Sequence, residues 1–302
     1  MNCNHSARFL LLLCFFSNLA TNGFALEKHI SLLKGMTSKI ITVKAVSTGG
    51  YCDKSLTLQL TNNSRDSLKV DIQPGLIFRP EDSSYQDLVV LGNEHIDLTP
   101  DKTSDISLQT FCGKSYAHCP FPKQNYHFLK IGDSNLVRTL KYVLANNIPI
   151  RLAQNGVWFF TNHHSLAAIY SYDYPRESED FAKYIAGIMK MKMPDYFIQY
   201  KIENRPGQAV ISRKQTKLYA QMHWSASDGF RNMHLVVFNK NGSVYKNIEA
   251  DQIIDKLGYT VKVEFDPRRD PQGTYYVKVF DDMQKVWDQK TVVIDAGEYE
   301  IQ

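Results

Sequence analysis

Three cysteines beyond the N-terminal leader, Cys52, Cys112 and Cys119, are the side chains best suited to covalent chemistry. Cys112 and Cys119 sit close together in the segment FCGKSYAHCPFP, where Gly113 can turn the chain. In an oxidising compartment such a pair closes a small disulfide loop, and Cys52 is left as a small buried hydrophobe. His118 and His127 flank the same segment, and with Cys112 and Cys119 they make a nominal zinc set. The spacing fits no established ligand pattern, so no metal is expected. His163-His164 reads as a polar turn after the apolar pair Phe159-Phe160. Met189, Met191 and Met193 read as packing or exposure at a helix end. A nucleophilic hydrolase would need a serine elbow, and no Gly-x-Ser-x-Gly is present. There is also no phosphate-binding glycine loop and no His-Glu-x-x-His helix, so no cofactor is expected. Asp71, Asp87 and Asp97 lie in or beside β stretches with nothing in sequence to pair them, and Asn62 and Asn241 begin Asn-x-Ser turns.

The compartment follows from the first residues. Residues 1–25 read as a secretory signal peptide, with Arg8 as the positive end, Phe9 to Phe16 as the apolar run, and Gly23-Phe24-Ala25 as the cleavage site before Leu26. The run is far shorter than the ~20 residues a membrane span requires. The chain after cleavage is expected to have no membrane span and to be exported, to the periplasm, the cell surface or the medium. Its 302 residues suggest two domains. Hydrophobic residues at 43% and charged residues at 22% exclude wholesale disorder, and a net charge of only +4 gives no reason to expect nucleic acid as a partner.

The elements that must position the cysteines are mostly strands. Ile41, Val43 and Ala45, then Leu56, Leu58 and Leu60, then Leu68, Val70 and Ile72 alternate with polar residues, the period of a half-buried strand. Short strands continue to Phe111, which predicts an N-terminal β-sandwich over 26–111. From Cys112 the period changes. Asp133 caps a helix over 135–146, Gln154 to Thr161 and Ser165 to Tyr170 form a helical or mixed stretch, and Arg176 to Lys192 is a further helix. This predicts a helical insert over 112–202, packed on the sandwich. A linker at 203–207 then leads to strands at 217–224, 234–239, 244–248, 260–265, 275–280 and 291–294, with a hairpin turn at Asn239–Gly242. The last module, 208–302, is predicted to be a second β-sandwich.

Two resemblances add to this reading. LVVFNKNGSVYKNI (235–248) followed by QGTYYVKVFDDMQKVWDQKTVVI (272–294) resembles the immunoglobulin-like tails of exported proteins of Bacteroidota-type bacteria, some of which act as secretion signals. It is similar also to the immunoglobulin-like modules of flagellar hook-capping proteins. In the middle of the chain, Phe111-Cys112, Pro120, Tyr126, the Leu136–Leu144 helix and Ala153-Gln154-Asn155-Gly156-Val157-Trp158 follow one another in order. That order resembles the thioester domains of bacterial surface adhesins, with Ala153 and Gly156 standing where their Thr-Gln-x-Ala-hydrophobic-Trp motif has Thr and Ala. The resemblance implies a Cys112 thiol, a Gln154 amide, and an acyl group open to an amine on another protein.

The fold class expected from sequence is therefore mainly β with a small helical insert, built on two immunoglobulin-like β-sandwich domains. The function expected is non-enzymatic binding or adhesion to a protein or glycan at the cell envelope. Two alternatives stand beside it: an adhesin with a Cys112–Gln154 thioester, and an exported hydrolase of no recognised motif. For Cys112 the sequence leaves three states open: bridged to Cys119, unmodified, or joined to Gln154.

Overall fold

The computed structural model describes residues 28–50, 52–205, 208–223, 233–248 and 260–295. The leader at 1–25 lies outside them, as do Pro206 and Gly207 of the expected linker.

The chain is mainly β, with several sheets. Strands β1 (Lys28–Ser31), β4 (Leu68–Ile72) and β7 (Glu94–Leu98) form a small sheet in which β1 runs parallel to β4. The other N-terminal strands are β2 (Ile41–Ser47), β3 (Cys52–Asn62), β5 (Leu76–Pro80), β6 (Leu88–Val90), β8 (Thr103–Cys112) and β9 (Asn125–Ile131). They close into a barrel in the order β2-β3-β8-β6-β5-β9. The alternating leucines explain the inside: Leu56, Leu58 and Leu60 are wholly buried, and Leu68, Val70 and Ile72 pack against the same core. A short helix, α1 (Leu32–Thr37), adds Leu32 to that core.

The barrel replaces the N-terminal sandwich expected over 26–111. The strand responsible is β9, which lies beyond Cys112 in the segment assigned to the helical insert. It pairs with β5 from Leu76↔Ile131 to Pro80↔Tyr126 and with β2 at Ala45↔Tyr126 and Val46↔Asn125. Closure satisfies the hydrogen-bonding edges that an open sheet would expose.

Three longer helices follow. Asp133 caps α2 (Ser134–Ala145), its Oδ1 accepting from the N–H groups of Asn135 and Leu136. Helix α3 (Ile150–Asn162) starts just after Pro149 and stops where His163 takes a left-handed conformation. Helix α4 (Pro175–Met189) has Pro175 in its first turn, where a missing N–H costs nothing. Helices α3 and α4 approach so closely that a Cβ on Gly156 would lie 2.6 Å from the Phe181 ring. Their apolar faces share one core with Ile77, Val89 and Phe111 of the barrel. The end of β8 is therefore covered on both sides, which is why Thr110, Phe111 and Cys112 are buried in succession.

The C-terminal strands form two sheets. One is β10 (Phe197–Arg205), β11 (Gln208–His223) and β14 (Thr260–Phe265); the other has the order β13-β12-β15-β16. Its strands are β12 (Met233–Asn239), β13 (Val244–Ile248), β15 (Gly273–Asp281) and β16 (Val286–Ile294). Leu218, Ala220, Val237, Val263, Val277, Val279 and Val292 make the core between the sheets. The hairpin expected at Asn239–Gly242 joins β12 to β13, with Gly242 at φ +84°. Of the linker expected at 203–207, residues 203–205 lie in β10, which pairs with β11 from Phe197 onward.

Candidate functional site

Cys112 ends strand β8, paired with Leu88 on β6. Gln154 lies 42 positions later, in the first turns of α3, beside the wholly buried Leu152 and Ala153. Packing of α3 on the barrel brings the two together. The Cys112 N–H donates to Gln154 Oε1 at 2.9 Å, and Gln154 Nε2 donates to the Cys112 carbonyl at 2.9 Å. The carboxamide thus supplies one residue's worth of strand pairing where the ladder ends. Cys112 is 1% exposed and Gln154 6%, so both bonds are shielded from water. A buried backbone N–H or C=O left without a partner costs ~1–3 kcal/mol, and Gln154 meets two such demands at once.

Loop 113–119 forms the floor of this seam and is fastened on two sides. Towards the barrel, the Gly113 N–H donates to Asp87 O at 2.7 Å, and Gln86 Oε1 accepts from the Lys114 N–H at 2.9 Å. Gln86 Nε2 donates to Ala117 O at 2.9 Å, and the backbone of His118 bonds Ser84 O and the Gln86 N–H. Towards α3, the Ser115 N–H donates to Asn162 Oδ1 at 3.1 Å, and Ser115 Oγ lies 2.9 Å from His164 Nε2. Below the loop, Asp87 is held by Nε and Nη2 of Arg79 and by Lys114 Nζ at 3.2 Å. Tyr126 donates its hydroxyl to Gln86 O at 3.0 Å. Burial first, then the neighbouring Cys112 sulfur and the Asp87 carboxylate, push the Tyr126 phenol well above its ordinary value, so it stays neutral. One turn beyond Gln154, Trp158 is 8% exposed and its indole N–H has no hydrogen-bond partner.

The Gln154 amide carbon carries the two atoms bonded to the Cys112 backbone. In the thioester expected from the resemblance, the Cys112 thiolate would attack that carbon, an S–C bond would form, the C–N bond would break, and ammonia would leave with the thiol proton. Gln154 Oε1 already accepts from the Cys112 N–H.

Other sequence expectations fare differently. The structure holds no disulfide between Cys112 and Cys119. The bonds on the intervening loop place them at separate points along segment 84–88: Cys112 opposite Leu88, and Cys119 just after His118, opposite Tyr85. His118, Cys119, Cys112 and His127 do not gather: among the described residues no group of three or more His, Cys, Asp or Glu could hold a metal. His163 is a helix terminus, whereas its neighbour His164 reaches Ser115, a role the turn reading missed. Gln86, Ser115 and Asn162 carry no motif that sequence could have flagged, because their partners lie 28 to 49 positions away. Ser115 is 1% exposed. No protein-family model, curated protein or solved structure matches the chain.

Proposed function

We propose that this is an exported envelope or cell-surface protein of binding and adhesion, and that it attaches to amines through an internal thioester between Cys112 and Gln154. The observation that carries the reading is the reciprocal pair of 2.9 Å bonds between the Gln154 carboxamide and the Cys112 backbone. The resemblance to adhesin thioester domains singled out these two residues, and both are buried and bonded to each other. Export rests on Arg8, the apolar run Phe9 to Phe16 and the Gly23-Phe24-Ala25 site. It agrees with the resemblance to Bacteroidota-type surface proteins, and among the described residues no helix is long and apolar enough to cross a membrane.

The C-terminal module is an immunoglobulin-like sandwich on this reading. Its first, second and fifth strands share one sheet, and its third, fourth, sixth and seventh share the other. Tyr275, at the start of the sixth strand, donates its hydroxyl to Pro271 O at 2.6 Å, the corner bond typical of that fold. Such a module is a spacer or a docking unit, and the thioester is the attachment point.

Intact mass tests the reading. The mature chain, made with its leader in an exporting host, should be lighter by one ammonia than its sequence. Methylamine should add to it at Gln154 and release the Cys112 thiol. A chain of full mass that takes up no methylamine overturns the thioester.

A further inference from the structure

The β10–β11–β14 sheet has two faces of opposite character. Along β11, Leu218, Ala220 and Met222 enter the core between the C-terminal sheets, as do Val261, Val263 and Phe265 of β14. Strand alternation therefore puts Tyr219 and Gln221, with their register partners Glu264 and Lys262, on the other face. The segment leading into α4 crosses that face. Its Tyr170 is 8% exposed and stacks on Phe197 and Tyr219, whereas its Tyr172 is 63% exposed.

Lys262 is the cation of this face. Its Nζ lies 4.3 Å from the centre of the Tyr172 ring and 4.7 Å from that of Tyr219, and it donates to Tyr170 Oη at 3.4 Å. Glu264, two positions along β14, accepts instead from Lys217 Nζ at 2.5 Å. Among the described residues Lys262 makes no ion pair. Burial lowers its basicity, and the Glu264 charge offsets this only in part. Its register partner Gln221 has a buried Oε1 with no hydrogen-bond partner. An unanswered cation, an unmet acceptor and an exposed ring thus meet at one face. They match three parts of an acidic sugar. A carboxylate is the counter-charge that Lys262 lacks, a hydroxyl is the donor that Gln221 lacks, and the C–H face of a sugar ring fits the flat apolar face of Tyr172.

We propose that this face binds a carboxylate-bearing glycan, with Lys262 pairing the carboxylate and Tyr172 stacking on the sugar ring. The inference rests on the binding and adhesion reading for its purpose and supplies the class of partner. It uses neither Cys112 nor Gln154, so the thioester and the glycan site stand or fall separately.

Titration calorimetry on the mature chain tests it with a galacturonate trimer, the same trimer fully methyl-esterified, and a triglutamate peptide. The acid trimer should bind in the millimolar range or tighter, and the ester, which keeps the rings and loses the charge, at least about fivefold more weakly. Lys262→Met keeps the apolar stem and should bring the acid trimer down to the affinity of the ester. Tyr172→Ala should weaken acid and ester alike, by about threefold or more. Because Tyr172 is largely exposed, that variant and the acid-to-ester ratio of the parent chain decide the matter if Lys262→Met does not fold. Equal binding of acid and ester, no binding of the acid trimer at millimolar concentration, or unchanged binding in Lys262→Met overturns the site. Triglutamate binding as tightly as the acid trimer overturns the sugar, since charge alone would then be recognised. The mass of the same chain reports the thioester independently of these affinities.

Discussion

Helix α3 and its neighbours face two partners, and the two seams are built differently. Against the barrel, the apolar core shared with Ile77, Val89 and Phe111 is edged by polar contacts: the Gln154 carboxamide on Cys112, and Asn162 and His164 on Ser115. Against the C-terminal sheets, it centres on stacked rings, with Tyr170 5.4 Å from Phe197 and 4.7 Å from Tyr219 between centroids. Lys262 Nζ lies over Tyr172 at 4.3 Å and Tyr219 at 4.7 Å, and burial lowers its basicity. Both seams are buried, but they do different work. Stacked rings stabilise by area and tolerate small shifts. Paired amides accept one geometry, because a displaced donor leaves two buried groups unsatisfied.

The sharpest way to break this comparison is at Gln154. Gln154→Ala should abolish methylamine uptake completely and, by orphaning the Cys112 N–H and C=O, should cost roughly 2–4 kcal/mol of stability. Gln154→Glu should also abolish uptake, since no ammonia can leave. Mass spectrometry and thermal melts read both effects, and retained uptake in either variant would remove Gln154 from the chemistry.

At the aromatic seam the expected pattern is reversed. Tyr219 is 0% exposed, so Tyr219→Ala should destabilise by about 3–5 kcal/mol, read as a lower melting temperature. At temperatures where the variant is folded, the missing-ammonia mass should remain. Its disappearance would show that the two seams are coupled, contrary to their separate chemistry.

Gly156 tests the scaffold under α3. Gly156→Ala places a methyl 2.6 Å from the Phe181 ring, an overpacking that should cost about 1–3 kcal/mol. Because Gly156 sits two residues from Gln154, a shift of α3 should also slow amine uptake while Tyr219→Ala does not.

The smallest effect is electrostatic. His223 at the end of β11 pairs with Glu179 of α4 at 3.1 Å. The pair raises the imidazole above its ordinary 6.5 and lowers the carboxyl below 4.5. A raised histidine contributes stability that is complete below about pH 6.5 and lost as pH rises through its folded value; the lowered carboxyl contributes above about 4.5. Both groups are about a third or more exposed, so solvent screening keeps the gain under about 1 kcal/mol. The melting-temperature difference between the parent chain and Glu179→Gln should therefore be largest near pH 5–6 and shrink above pH 7. A difference that grows with pH would contradict the assignment.

Much of the local structure was legible beforehand. Alternation at Leu56, Leu58 and Leu60 gave a strand because a half-buried strand repeats every two residues. Asp133 announced α2 because a short acidic side chain satisfies the first N–H groups of a helix. Val244–Ile248 and Thr260–Phe265 were placed to the residue for the same kind of reason. Barrel closure was not legible, since it depends on β9 pairing back to β2 across some 80 positions, and strand alternation says nothing about partners.

At the candidate site the division is similar. The resemblance to adhesin thioester domains pointed to Cys112 and Gln154, with an aromatic neighbour before the cysteine and Trp158 one turn beyond the glutamine. Only the tertiary structure decided that the glutamine amide would meet the cysteine backbone, that Gln86 would bond Lys114 and Ala117, and that His164 would reach Ser115. A periodic pattern or a cap is a property of neighbours along the chain and is written in local residue types. A hydrogen bond between groups dozens of residues apart depends on how the barrel and α3 pack, and that is settled by the burial of the whole apolar surface rather than by any residue near the site.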